Sequence, residues 1–272
     1  MSRSAGTDFL ERIAADRRRR VAERALAEPP HVLRRRLPPE IPPAGRLERA
    51  LRRRTPREPL RLLCEVKRAS PSKGDLNPNV DPVAMARLYE SGGAAAVSLV
   101  TEPDHFRGDP AWIDAVRPHV KLPLLLKDFV VDSYQLLDAA VRGADGVLLL
   151  AALLSEVQLQ RLIGEAKRLG LDPLVEVHDR EELGPALRAG ATLVGINNRS
   201  LRTFEVDVET APRLLPDLPP YVTAVAESGL SSPADVARLA GTRCDAVLMG
   251  EVFMTSADPA ATLTALRAAA SA

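Results

Sequence analysis

The sequence predicts an α/β protein, a (β/α)8 TIM barrel with an N-terminal helical extension. Three observations carry this reading. From residue 62 onward, short apolar runs alternate with longer amphipathic stretches, eight of each. The runs are apolar on both faces, as parallel strands are when packed inside and covered outside by helices. No GxGxxG turn follows the first run, and an open doubly wound sheet needs fewer strands than eight, so the closed barrel is preferred.

The elements follow in order. The extension is expected to span 1–48, packed on a barrel of 49–272 within a single domain. Phe9, Leu10, Ile13, Ala14, Val21 and Ala25 make a rough helical stripe. Prolines 29, 30, 38, 39, 42 and 43 then break the chain into extended connectors. A second helix is expected from about Gly45 to Arg54. The expected strands are Leu62–Lys67, Ala94–Val100, Leu122–Lys127, Gly146–Leu150, Pro173–Val177, Leu193–Ile196, Val222–Ala226 and Ala246–Met249. Helices are expected at Pro82–Ser91, Pro110–Arg117, Ser133–Arg142, Glu156–Leu169, Arg180–Ala189, Val208–Leu214, Pro233–Ala240 and Pro259–Ala270. Asp81-Pro82, Asp109-Pro110, Ser232-Pro233 and Asp258-Pro259 each set a capping residue before a proline suited to the first helical position.

Composition narrows the function classes. The 272 residues carry 37 basic and 36 acidic side chains, which argues against a general polyanion binder. The positive charge gathers in residues 1–61, with 17 arginines against 8 acids. Interrupting acids and the lack of interleaved aromatics favour a solvated helix face lying on an acidic body over a nucleic-acid arm. The longest run free of polar side chains, Gly146 to Leu154, is too short to span a bilayer. With two cysteines and no opening signal segment, the expectation is a reduced, cytoplasmic protein without nucleic-acid or membrane partners. The four histidines are scattered and no metal-ligand spacing is present, so no metal is expected.

Barrels of this kind place chemistry at the C-terminal ends of their strands. Polar residues accumulate there. The first strand ends Glu65-Val66-Lys67, whose two charged groups share a face because side chains alternate along a strand. Lys127 ends the third strand, Glu176 lies inside the fifth, Asn197 follows the sixth, and Glu227 and Glu251 follow the seventh and eighth. Such charges are costly to bury unless paired and used. Each has a plainer reading: Glu65 with Lys67 as a structural ion pair, Lys127 paired with Asp128, Asn197-Asn198 as a turn, His178 as a loop residue. Ser228-Gly229 and Gly250-Glu251 suggest a phosphate site after the last two strands. The stretch Ser70-Pro71-Ser72-Lys73-Gly74 adds hydroxyls, a cation and a flexible glycine, either as a mobile turn or as a lid.

In order and spacing these segments resemble the indole-3-glycerol-phosphate synthase family. The resemblance covers nearly the whole chain: Phe9-Leu10-Glu11-Arg12-Ile13, Glu65 through Gly74, Ser98-Leu99-Val100-Thr101-Glu102, Leu126-Lys127-Asp128-Phe129, Leu174-Val175-Glu176-Val177-His178, Gly195-Ile196-Asn197-Asn198-Arg199, Ala226-Glu227-Ser228-Gly229 and Met249-Gly250-Glu251. It implies a small sugar-phosphate substrate, 1-(2-carboxyphenylamino)-1-deoxy-D-ribulose 5-phosphate, that undergoes ring closure, decarboxylation and dehydration in tryptophan biosynthesis without a cofactor. It implies Lys127 as the acid for ring closure and Lys67 as holder of the substrate carboxylate or second proton donor. Glu176 would be the base or proton shuttle, Glu65 would orient a lysine, and Asn197 would hold a sugar oxygen. Arg199 would meet the carboxylate and Glu227 a ribulose hydroxyl. Phe106, Phe129 and Leu148 would wall the aromatic ring, and Ser70, Ser228, Gly229, Gly250 and Glu251 would hold phosphate, Glu251 through its backbone N–H. Val252 departs from the small residue usual in the family and adds bulk beside that loop.

The related isomerase, phosphoribosylanthranilate isomerase, would need a Cys/Asp acid–base pair, and Cys64 faces outward by parity. A non-catalytic phosphate-binding barrel would have no use for Lys67, Lys127 and Glu176 together. A monomer is expected, with a weak dimer as the alternative.

Overall fold

The computed structural model describes residues 5–271; residues 1–4 of the expected extension and the last residue of the expected barrel lie outside them. Eight parallel strands close into a barrel: β1 (Arg61–Val66), β2 (Ala96–Val100), β3 (Leu124–Lys127), β4 (Gly146–Leu150), β5 (Asp172–Val177), β6 (Leu193–Asn197), β7 (Thr223–Glu227) and β8 (Ala246–Met249). Each pairs with its successor and β8 pairs back to β1, with Arg61 opposite Ala246 and Glu65 opposite Ser98. Ahead of the barrel strands come α1 (Ala5–Ala27), α2 (Pro30–Arg34) and α3 (Arg46–Leu51), the last crossing the expected boundary between 48 and 49. The barrel helices are α4 (Pro82–Ser91), α5 (Ala111–Val116), α6 (Ser133–Arg142), α7 (Glu156–Arg168), α8 (Arg180–Arg188), α9 (Thr210–Leu214), α10 (Pro233–Ala240), α11 (Glu251–Met254) and α12 (Pro259–Ala269).

Capping chemistry sets most helix starts. Asp81, Asp132, Ser155, Asp179, Ser232 and Asp258 each accept a hydrogen bond from a first-turn N–H. Asp109 behaves differently: its carboxylate accepts from Ala111 N at 2.8 Å, and α5 starts one residue later than expected. The second helix of the extension is also shorter than expected, because Arg52 turns extended and its guanidinium bonds Thr223 and Glu48. Three elements were not anticipated. Where an extended connector was expected from Pro29, the short helix α2 forms instead, because a proline at the first helical position needs no N–H. A short antiparallel hairpin, Ala69–Ser70 with Gly74–Asp75, organises the loop after β1, and α11 follows Gly250 directly.

Strand parity sorts the core into two layers. Outward residues such as Cys64, Val66, Val97, Leu126, Val175 and Val247 pack against the helices. Inward residues, among them Leu63, Leu125, Leu148, Leu174, Val225 and Leu248, fill the barrel. Leu47 and Leu51 of α3 close it from the end where the strands begin. Gly146 makes room for this plug, since a Cβ there would meet Leu47 at 2.5 Å. Phe9, Leu10 and Ile13 of α1 join the same interior cluster with Phe129. Three arginines of α1 lie on acids of the body. Arg17 bonds buried Asp128 at 2.6 Å, Arg20 bonds Asp104, and Arg24 grips Asp138 with two bonds of 2.9 Å. Part of the positive charge thus serves docking of the extension, while among the described residues Arg19 pairs only within α1, with Asp16 and Glu23. Among the described residues, no helix is long and apolar enough to cross a membrane.

Candidate active site

A cavity of about 500 Å³ opens where the strands end. Its floor is ionic. Lys67 Nζ stands 2.9 Å from Glu65 Oε1, while Lys127 Nζ stands 3.2 Å from Glu65 Oε2 and 3.3 Å from Glu227 Oε2. Glu65 is therefore shared by two ammonium groups. Burial alone would raise its carboxyl, but Lys127 and Lys67 outweigh burial and hold it down to about 2. Lys127 shows the mirror effect: burial opposes its charge, and the carboxylates of Glu65, Glu227 and Glu176 overcome this and raise it. Its expected structural alternative, a pair with Asp128, does not form, because Asp128 points outward by parity and is bound to Arg17.

Glu176 faces this group from β5. Asn197 Nδ2 donates to its Oε1 at 2.9 Å, and Asn197 Oδ1 accepts from Arg199 N at 2.9 Å. The amide is thereby fixed in one orientation. Glu227 lies lower than the residues around it. It is fully buried, and its carboxylate meets Lys127 from below, with Oε1 left without a hydrogen-bond partner among the described residues. Burial, opposed by Lys127 but aided by Glu176, pushes its carboxyl up to about 7. Gly195 is required beneath it, because any Cβ would run into Glu227 Oε1.

The other expected residues converge on the cavity. Phe106, Phe129 and Leu148 line one side, with the two rings 6.0 Å apart. Ser70, Ser228, Gly229, Gly250 and Glu251 line another, and Ser228 and Gly229 both take left-handed backbone, with φ of 61° and 72°. Arg199 spans the rim and donates to Ser72 Oγ at 3.3 Å. Glu251 brings its carboxylate as well as its backbone, 3.3 Å from Lys73. Val252 also lines the cavity, its side chain packed against the helix layer.

Several contributors were not singled out from the sequence. Phe9 of α1 reaches the cavity and stacks edge-on against Phe204, 4.9 Å between centroids. Buried Glu102 accepts from the backbone N–H groups of Asp104, His105 and Phe106, which sets the loop carrying Phe106. His178 lies between two carboxylates, 3.4 Å from Glu176 Oε1 and 2.9 Å from Glu182 Oε2. Its signal was present: His178 is two residues past Glu176, the spacing that shares a strand face. Among the described residues, no group of three or more His, Cys, Asp or Glu is arranged to hold a metal ion.

The family described as Indole-3-glycerol phosphate synthase matches residues 10–266. The chain belongs to the indole-3-glycerol phosphate synthase family. Family relatives of that name include one from Parafrankia sp., 51% identical over 73% of this chain and 74% of its own. Another, from Chlorobium luteolum, is 44% identical over 91% of this chain and 94% of its own. The relative named indole-3-glycerol phosphate synthase 1 from Streptomyces coelicolor is 47% identical over 77% and 78%. Solved structures share the architecture at much lower identity. 3-Hexulose-6-phosphate synthase from Salmonella typhimurium has a TM-score of 0.62 at 16% identity, covering 78% of this chain and 98% of that one. KGPDC from Streptococcus mutans has 0.59 at 13%, covering 77% and 97%. These two speak to the barrel fold alone.

Proposed function

We propose that the chain converts 1-(2-carboxyphenylamino)-1-deoxy-D-ribulose 5-phosphate into indole-3-glycerol phosphate, releasing CO2 and water. This is a carbon–carbon lyase step of tryptophan biosynthesis, run by side chains without a cofactor. The observation that carries the assignment of roles is the Lys67–Glu65–Lys127 cluster facing Glu176 and Asn197 across one cavity.

The chemistry follows from charge. Ring closure joins the aryl carbon bearing the carboxylate to the ketone carbon, and the electron pair goes to the ketone oxygen. The Lys127 ammonium, kept charged by its carboxylates, stabilises that oxygen and protonates it. An alkoxide is a far stronger base than a carboxylate, so the proton transfers despite the raised affinity of the lysine. Lys67 and Arg199 hold the substrate carboxylate until it leaves as CO2, which restores the aromatic ring. Dehydration then needs one proton removed and one supplied. Glu176 takes the proton from the carbon next to nitrogen, and Lys67 delivers one to the departing hydroxyl. Glu65 positions both lysines and Glu227 supports Lys127. Phe106, Phe129 and Leu148 hold the aryl group, while Ser70 and the turns at Ser228-Gly229 and Gly250-Glu251 take the phosphate.

Residues 49–272 act as the catalytic unit with 1–48 as its covering extension. A single copy supplies every group named, so a monomer suffices. Free buried Cys64 and Cys244 suit a reducing, cytoplasmic setting. Purified protein given the carboxyphenylamino sugar phosphate, with chelator present and no nucleotide, is expected to generate indole fluorescence. A silent assay under those conditions counts against the reading.

A further inference from the structure

We propose that His178 is a positioning residue for Glu176: with Glu182 behind it, its ring fixes one oxygen of the Glu176 carboxylate and holds a positive charge beside it. The inference rests on the function proposed above. Its grounds are geometric. Two groups converge on the same atom, Glu176 Oε1: Asn197 Nδ2 at 2.9 Å from β6, and His178 Nε2 at 3.4 Å from the end of β5. Oε2 keeps no protein hydrogen-bond partner among the described residues, and Glu176 lines the cavity, so that oxygen is left for substrate. A base held by one oxygen is free to use the other.

The ring is itself oriented. Its Nδ1 lies 2.9 Å from Glu182 Oε2, and the same oxygen accepts from the His178 backbone N–H at 2.9 Å. Glu182 sits in the first turn of α8, where Asp179 caps its N–H. The histidine side chain is 11% exposed, so it has few alternatives to these partners. With Nδ1–H directed at Glu182, a charged ring also presents Nε2–H to Glu176. The arrangement is a carboxylate, a histidine and a second carboxylate running outward from the cavity.

Charges face the pair from several elements. Lys127 from β3 also favours ionised Glu176, whereas Glu227 from β7 opposes it. On the outer side, Asp179, Arg180, Glu181 and, from α9, Arg213 surround His178. Burial lowers the histidine's hold on its proton, but the nearby carboxylates of Glu176 and Glu182 win and raise it to about 10. The imidazolium in turn keeps the Glu176 carboxyl below its ordinary range against burial. Asparagine at 178 preserves the bond toward Glu182 and removes the charge contact toward Glu176. Glutamine preserves the reach to Glu176 without the charge.

The test compares wild type, His178→Asn, His178→Gln and Glu182→Gln, with circular dichroism to confirm folding. Imidazole ¹⁵N NMR of the substrate-free wild type is expected to show His178 protonated through pH 8. A ring that loses its proton near the ordinary histidine value overturns the proposal without reference to activity. In H178N, kcat is expected to fall about tenfold or more, out of the roughly 10²–10⁴-fold a positioned base contributes. KM should change little, and the acidic limb of kcat against pH should move upward. H178Q should regain part of kcat while the limb stays displaced. E182Q covers the case in which H178N fails to fold: its ring should deprotonate at lower pH than in wild type. If wild type turns over and the folded variants keep its kcat and acidic limb, the positioning role is wrong and the function stands. If wild type does not turn over, the function fails first.

Discussion

The two ends of the barrel both bury charge, and they handle it in opposite ways. Where the strands begin, carboxylates are matched to donors. Asp172 Oδ2 accepts from Leu47 N and Glu48 N at 2.7 and 3.0 Å. Asp245 accepts from Arg53 N at 2.9 Å and Ala224 N at 2.8 Å, and Arg53 Nη1 and Nη2 donate to four backbone carbonyls. Where the strands end, the carboxylate oxygens Glu65 Oε2 and Glu227 Oε1, with Ser70 Oγ, are buried without an aligned hydrogen bond, whereas among the described residues the buried atoms so left at the other end are the Nε of Arg53 and Arg61 and no carboxylate oxygen. Matched groups lock the plug onto the barrel. Unmatched ones form a field of strong donors and acceptors awaiting a charged ligand, at some expense in stability. The difference separates the end that holds the fold together from the end that works.

Mutations at the two ends should therefore fail differently. Lys127→Ala is expected to lower kcat by roughly 10²–10⁴-fold, the contribution of a positioned acid, with a much smaller change in KM. Steady-state kinetics check this, and an unchanged kcat removes Lys127 from the acid role. Asp245→Ala should do the reverse. It leaves the N–H groups of Arg53 and Ala224 unpaired, at roughly 1–3 kcal/mol for each orphaned donor, while kcat of the folded fraction stays near wild type. Urea unfolding measures the loss; a large fall in kcat without loss of stability would erase the distinction between the ends.

The pH dependence sharpens the comparison. Glu227 ordinarily titrates near 4.5 and is raised to about 7 in the folded chain. Between those values the folded state binds more protons than the unfolded one, so this group's contribution to stability falls as pH rises through the window. Glu227→Gln is expected to flatten that decline, seen as unfolding free energy measured from pH 4.5 to 8. Equal slopes in variant and wild type would contradict the strained carboxylate. The smallest effect belongs to neither end. Arg188–Glu156 is an exposed pair on the helix layer, and Arg188→Ala should leave the urea-unfolding midpoint indistinguishable from wild type.

The sequence carried the barrel because its signals are local. Alternation within β1 places Glu65 and Lys67 on one face, and Leu125 and Leu174 mark the inward parity of Lys127 and Glu176. Those rules stop at the strand ends and across long separations. Arg17 meets Asp128 from 111 residues away, so nothing near either residue announces the pair. Phe9 reaches the cavity only because α1 folds over the mouth. Glu227 had the right parity, but parity does not say how deep a side chain sits, and only the neighbouring Lys127 and Gly195 place it below the wall. His178 reads as a loop residue in the sequence and does follow Val177, where strand pairing ends; parity beyond the last paired residue is what carries its side chain back toward Glu176.

The most direct measurement is a crystal structure with indole-3-glycerol phosphate bound. It should place the phosphate between the Ser228-Gly229 and Gly250-Glu251 turns, the indole ring against Phe106, Phe129 and Leu148, and the ring carbon that carried the oxygen within reach of Lys127 Nζ. Product seated away from Lys127 and Glu176, with those side chains still paired only to protein, would contradict the account.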